Sequence, residues 1–87
     1  MSLLYDPEAF SDVPKKDYGR LVSKTEWLWV HRSEIIHHPL SNNLSGYFKR
    51  TVGPYRIVYD YDRDRDEIII RLAGLRDTIY ETASKKL

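Results

Sequence analysis

The segment Gly46-Tyr-Phe-Lys-Arg-Thr-Val-Gly-Pro-Tyr-Arg-Ile-Val-Tyr59 constrains the fold more than any other. Two β-prone runs meet at a Gly-Pro pair that turns the chain back on itself. Pairing Thr51 with Pro54 across a two-residue loop puts Lys49 opposite Arg56, with the two side chains about 5 Å apart on one face. Neighbouring cations repel and weaken a sheet by roughly a few tenths of a kcal/mol, so this pair points to an anionic partner such as a phosphate. The competing reading is that both side chains reach out to water. Phe48, Val52, Tyr55, Ile57 and Tyr59 fall on the opposite face, the expected core, and Arg50 falls among them.

The rest of the chain supplies helices and two more strands. Ser2 to Tyr5 reads as an edge strand, and Asp6-Pro7 as the cap and first residue of one or two helical turns. Pro14 opens a second helix, expected over 14–33, because Tyr18, Leu21, Val22, Thr25, Leu28 and Trp29 share one face at a 3.6-residue period. His37-His38-Pro39 stops it, and Ser41-Asn42-Asn43 continues as loop. Strands are expected over 46–52, 55–61 and 67–73, with the charged Asp62-Arg-Asp-Arg-Asp66 as the second hairpin loop and a short helix over 77–86. The fold class is therefore α+β: a small antiparallel sheet with N-terminal helices on one face and a short C-terminal helix. The 87 residues suit a single domain, 1–87, with one small core.

Composition narrows the chemistry. Fourteen basic and 13 acidic side chains nearly cancel, so affinity for nucleic acid has to come from a local patch. The absence of cysteine excludes disulfides, thiol catalysis and cysteine-ligated zinc, and it suits a reducing cytoplasm. No apolar run approaches the ~20 residues of a membrane span, and the N-terminus lacks a signal-peptide pattern. His31, His37 and His38 lie at the helix end and the adjoining loop, apart from the strand cations on this topology. No third ligand at a recognisable spacing joins the His-His pair, so no metal is expected, and no cofactor.

Four blocks in order carry a resemblance: the His38-Pro39-Leu40 that ends the helix, Leu44-Ser-Gly-x-x-Lys49, Gly53-x-Tyr-Arg56-Ile-Val-Tyr59, and Gly74-x-Arg76-x-x-x-Tyr80. Together they resemble the RelE/ParE superfamily of toxins from type II toxin-antitoxin systems, and most closely its RelE branch of ribosome-dependent endoribonucleases. The resemblance implies a RelE-like fold and a cognate antitoxin as partner. It also implies mRNA as substrate in the decoding site of the 30S subunit, and catalytic roles for Lys49, Arg56, Arg76 and Tyr80. Arg50, Lys85 and Lys86 are candidates for RNA binding. The chain departs from the pattern at Leu75-Arg76, where many relatives carry His-Arg, and at Tyr47, where some carry a basic residue. Its N-terminal helical region is also about a turn shorter.

On that resemblance the chemistry is metal-independent cleavage by the 2′-hydroxyl. Arg56 and Arg76 stabilise the phosphorane through fixed, permanently charged donors. Lys49 acts either as general base or as a phosphate contact. Tyr80 stacks on a base or packs its helix. Trp27, Val30 and His31 form an apolar strip for the antitoxin. Two other readings stay open: a ParE-like toxin that inhibits DNA gyrase without catalysis, and a degenerate toxin that keeps only antitoxin or RNA binding.

Overall fold

A computed structural model covers residues 1–87. The elements run β1 (Ser2–Tyr5), α1 (Tyr18–Val30), β2 (His38–Pro39), β3 (Phe48–Val52), β4 (Tyr55–Asp62), β5 (Glu67–Leu75) and α2 (Ile79–Lys86). The strands form one sheet in the order β1-β5-β4-β3-β2. All neighbours are antiparallel except β1, which lies parallel to β5 at the edge. No helix is long and apolar enough to cross a membrane.

The central hairpin turns one residue later than expected. Val52 pairs with Tyr55, so the loop is Gly53-Pro54 and Lys49 faces Val58, while Arg56 faces Thr51. Gly53 has φ +56° and proline fixes φ near −65°, the combination a type II′ turn needs. The partner of Lys49 moves by two residues along β4, so every side chain keeps its face. Lys49 and Arg56 therefore share a surface, as diagonal neighbours about 7–8 Å apart rather than as a direct pair. Gly53→Ala is expected to cost about 1–2 kcal/mol, the penalty for a Cβ in left-handed backbone, read as a drop in the urea midpoint at unchanged slope. The new Cβ would also meet the Arg20 guanidinium at 2.5 Å, but that flexible tip can move aside.

Two apolar layers sandwich the sheet, where the sequence suggested one. Tyr55, Ile57, Tyr59, Ile68, Ile70 and Ala73 pack against Leu21 and Leu28 of α1. On the other side Val58 and Leu72 pack against Leu44 and against Ile79 and Ala83 of α2. A bulge makes this possible: Val58 pairs with Leu72 but Tyr59 with Ile70, so Arg71 is the extra residue and the alternation of β5 flips. Arg71 then holds Asp60 at 2.6 Å and Asp6 at 3.2 Å, fastening β4 and the end of β1 across β5.

Helix α1 is shorter than the predicted 14–33. Residues Lys15–Asp17 form a 3-10 turn, and the helix proper ends at Val30. Arg32 terminates it: Nη1 donates to the Trp29 carbonyl at 2.7 Å, while Nε and Nη2 grip Asp66 at 2.7 and 2.8 Å. The helical turns predicted after Pro7 are plain turns. The buried Thr25 hydroxyl is satisfied by the Val22 carbonyl and by Tyr5 Oη, which links β1 to α1.

Candidate functional site

The face of the sheet that α2 covers also carries Lys49 and Arg56. Lys49 projects from the middle of β3, and its Nζ lies 5.9 Å from the centre of the Tyr80 ring on α2. Both line a cavity of about 260 Å³ closed by Leu40, Ser41, Asn42, Asn43, Leu44 and Ser84. The loop fits there because Asn42, at φ 57°, and Gly46, at φ 98°, occupy left-handed backbone, which suits asparagine and glycine. Leu44 pins the loop beneath α2.

Arg56 lies on the same face, nearer the hairpin turn. Its Nη1 donates to the Gly53 and Tyr55 carbonyls at 3.1 and 2.9 Å, leaving the rest of the guanidinium fork free. Gly74 stands opposite Arg56 in the ladder and adds no side chain over it. The Arg76 amide donates to the Pro54 carbonyl at 2.9 Å, which draws the start of the C-terminal segment to the same turn. Its side chain is exposed and lies 3.7 Å from Asp77. The structure thus makes two groups, Lys49 with Tyr80 in the cavity and Arg56 with the Arg76 backbone at the turn. Neither arginine lines that cavity.

The remaining cations sit elsewhere. Arg50 is on the α1 face, where its guanidinium donates to the Ile36 carbonyl at 2.8 Å and lies 5.7 Å from the Trp27 ring. It shares no surface with Lys49. Lys85 reaches Glu81 at 3.4 Å and Lys86 reaches Asp12 at 3.8 Å, both outside the cavity.

The sequence reading placed all three histidines apart from the strand cations, and for His38 the structure corrects this. Residues 38 and 39 form a two-residue strand in which His38 pairs directly with Lys49. Paired residues of antiparallel strands point to the same side, so the exposed His38 side chain shares a sheet face with Lys49. A two-residue strand containing proline is invisible to periodicity and is tolerated only at a sheet edge, where this one lies.

His37 points the other way, into the core. The Arg32 carbonyl can only accept, so Nε2 carries the proton and donates to it at 2.8 Å, and Nδ1 accepts from Tyr59 Oη at 2.6 Å. Burial holds the His37 imidazole below its ordinary pKa, with Arg63 and Arg50 pushing the same way against the Arg32 carbonyl. Burial likewise pushes the Tyr59 phenol up to about 12. Because the folded pKa of His37 is the lower one, its neutral form favours folding fully above about pH 6.5. As the pH falls below that value the unfolded chain binds a proton that the folded chain refuses. Stability is expected to fall by at most about 1.4 kcal/mol per pH unit there. Urea midpoints between pH 7.5 and 5.5 measure it, and His37→Gln should flatten the slope.

No family model and no curated protein matches this chain in sequence, and its likeness to known proteins lies in three dimensions. The toxin-antitoxin complex RelBE2 of Mycobacterium tuberculosis superposes with a TM-score of 0.73 at 20% identity, covering 86% of this chain and 96% of that one. The isolated RelE toxin of E. coli gives 0.63 at 20% identity over 97% and 95% of the two chains. A YoeB/ParE toxin from Agrobacterium tumefaciens gives 0.65 at 16% identity over 87% and 99%. The chain has the RelE/ParE toxin fold. Within that fold Lys49, Arg56 and Tyr80 occupy the α2 side of the sheet, together with His38.

Proposed function

We propose that this chain is the toxin of a type II toxin-antitoxin pair, acting in the cytoplasm as a single RelE-like domain that cleaves mRNA in the decoding site of the ribosome. The observation that carries the reading is the surface shared by His38, Lys49 and Arg56: a titratable imidazole and two cations on one sheet face, with no ion pair to an acidic side chain at any of the three. Such a surface fits a phosphodiester, whose cleavage needs a base, an acid and charge at the non-bridging oxygens.

In the proposed mechanism His38 removes the 2′-hydroxyl proton, since imidazole is the side chain suited to accept a proton near neutral pH. The 2′-oxygen attacks phosphorus, and the bond to the 5′-oxygen breaks. Lys49 returns a proton to that leaving oxygen, and Arg56 holds the phosphorane through its free fork. Arg76 contacts the flanking backbone, and Tyr80 stacks on an adjacent base, worth about 1–3 kcal/mol. The products are a 2′,3′-cyclic phosphate and a 5′-hydroxyl. A cognate antitoxin holds the activity in check.

Induced expression followed by transcript 5′-end mapping tests the reading. New ends within translated codons, absent with Arg56→Ala, are the expected result. Growth arrest with intact transcripts and inhibited DNA gyrase would identify the ParE-like mode instead.

A further inference from the structure

The strand that carries His38 has little to hold it in the sheet. β2 is two residues long and lies at the sheet edge, and Pro39 has no amide to donate to the ladder. Its hold on β3 is the pairing of His38 with Lys49 and of Pro39 with Phe48, extended by the Leu40 amide, which donates to the Tyr47 carbonyl at 2.9 Å. So short an edge strand opens easily. His37 supplies what the ladder lacks. Its buried ring is bonded at both nitrogens, to the Arg32 carbonyl and to the Tyr59 hydroxyl. Both partners are themselves fixed: Tyr59 is buried in the middle of β4, and Arg32 grips Asp66 with two nitrogens while its guanidinium lies 3.7 Å from the centre of the Trp29 ring. Tyr61, Phe48 and Tyr59 close around the imidazole at 4.8, 5.8 and 5.8 Å between ring centres.

We propose that His37 is a positioning residue for RNA cleavage: its two hydrogen bonds clamp β2 to the core, so that His38, the next residue, is held on the face of Lys49 and Arg56. This role deepens the nuclease reading and rests on it for the use made of His38. Successive side chains along a strand point to opposite faces, so anchoring one ring inward fixes the next side chain outward. A leucine of similar bulk would anchor the strand less well. Apolar burial has no direction, whereas a ring bonded at both nitrogens is satisfied at one depth and one orientation. The one further side-chain bond to this segment, from Arg50 to the Ile36 carbonyl, is exposed to solvent and lies before the strand. Position matters to the chemistry, because a catalytic group displaced by about 1 Å can lose roughly 10²-fold in rate.

The test reads amide exchange and cleavage on the full chain. His37→Leu keeps bulk and loses both bonds, Tyr59→Phe loses only the bond to Nδ1, and His37→Gln keeps a donor and an acceptor. Thermal melts check that each folds, and should His37→Leu fail to, Tyr59→Phe carries the same comparison. Exchange of the Leu40 amide is expected to quicken by about ten-fold or more in His37→Leu and by less in Tyr59→Phe, with the Ile57 amide of β4 unchanged. On programmed ribosomes kcat should fall by about ten- to a hundred-fold in His37→Leu at unchanged KM, since the groups that contact RNA are all present, and His37→Gln should recover part of the loss. The proposal is overturned if Leu40 exchange ignores His37→Leu, if kcat is unchanged, if leucine and glutamine cost the same, or if His38→Ala leaves cleavage intact. A wild-type chain that cuts no message, with Leu40 exchange still quickened by His37→Leu, would overturn the nuclease reading while upholding the clamp on β2.

Discussion

Replacing Arg56 with alanine is expected to lower RNA cleavage by about 10²-fold or more, the usual scale for removing one preorganised donor from a developing oxyanion. Folding should barely respond. The guanidinium touches only two carbonyls at a solvent-facing turn, and such bonds contribute about 1 kcal/mol net. Arg56→Lys should also be impaired, because an ammonium keeps the charge but cannot grip two phosphate oxygens in one plane. Single-turnover cleavage beside thermal melts separates the two effects. Equal losses in rate and stability would mean that Arg56 serves the hairpin and not the phosphate.

The second large effect is expected at Ile79, which is 1% exposed and anchors α2 on Val58 and Leu72. Truncation to alanine removes buried methylenes and leaves a cavity, at a cost of about 2–5 kcal/mol. An eight-residue helix is not stable alone in water, so the loss should fall first on α2. Amide exchange should then quicken across residues 79–86 while β4 stays protected. Cleavage should fall in step as Tyr80 leaves Lys49. Leu28→Ala, on the α1 side, should instead lower protection throughout the sheet, because that layer covers most of β4 and β5.

Much of this arrangement is legible in the chain, and the exceptions have local causes. The Gly-Pro pair announces the hairpin, and period-two alternation puts Lys49 and Arg56 on one face. The exact register waited on which residues occupy the loop, and φ +56° at Gly53 decides that. A shift of two residues along β4 left the faces intact, so the error cost a distance and not an assignment. His38 was missed because a strand of two residues has no period to read. The second apolar layer was hidden by the bulge at Arg71, which turns Leu72 away from the face of Ile68 and Ile70. Parallel pairing of β1 with β5 joins residues 2–5 to 67–70 and leaves no local trace. Arg50 is the clearest conflict between pattern and placement. Its position in the alternation sends it to the α1 side, and the structure keeps it there at the sheet margin, on Ile36 and Trp27.

The proposed chemistry is tested most directly by the ends it leaves on RNA. Purified chain is incubated with programmed ribosomes, and the termini of the cut message are analysed enzymatically and by mass spectrometry. Attack by the 2′-hydroxyl predicts a 2′,3′-cyclic phosphate upstream of the cut and a 5′-hydroxyl downstream, both lost with Arg56→Ala. An uncut message, or termini bearing a 3′-hydroxyl and a 5′-phosphate, would contradict the account.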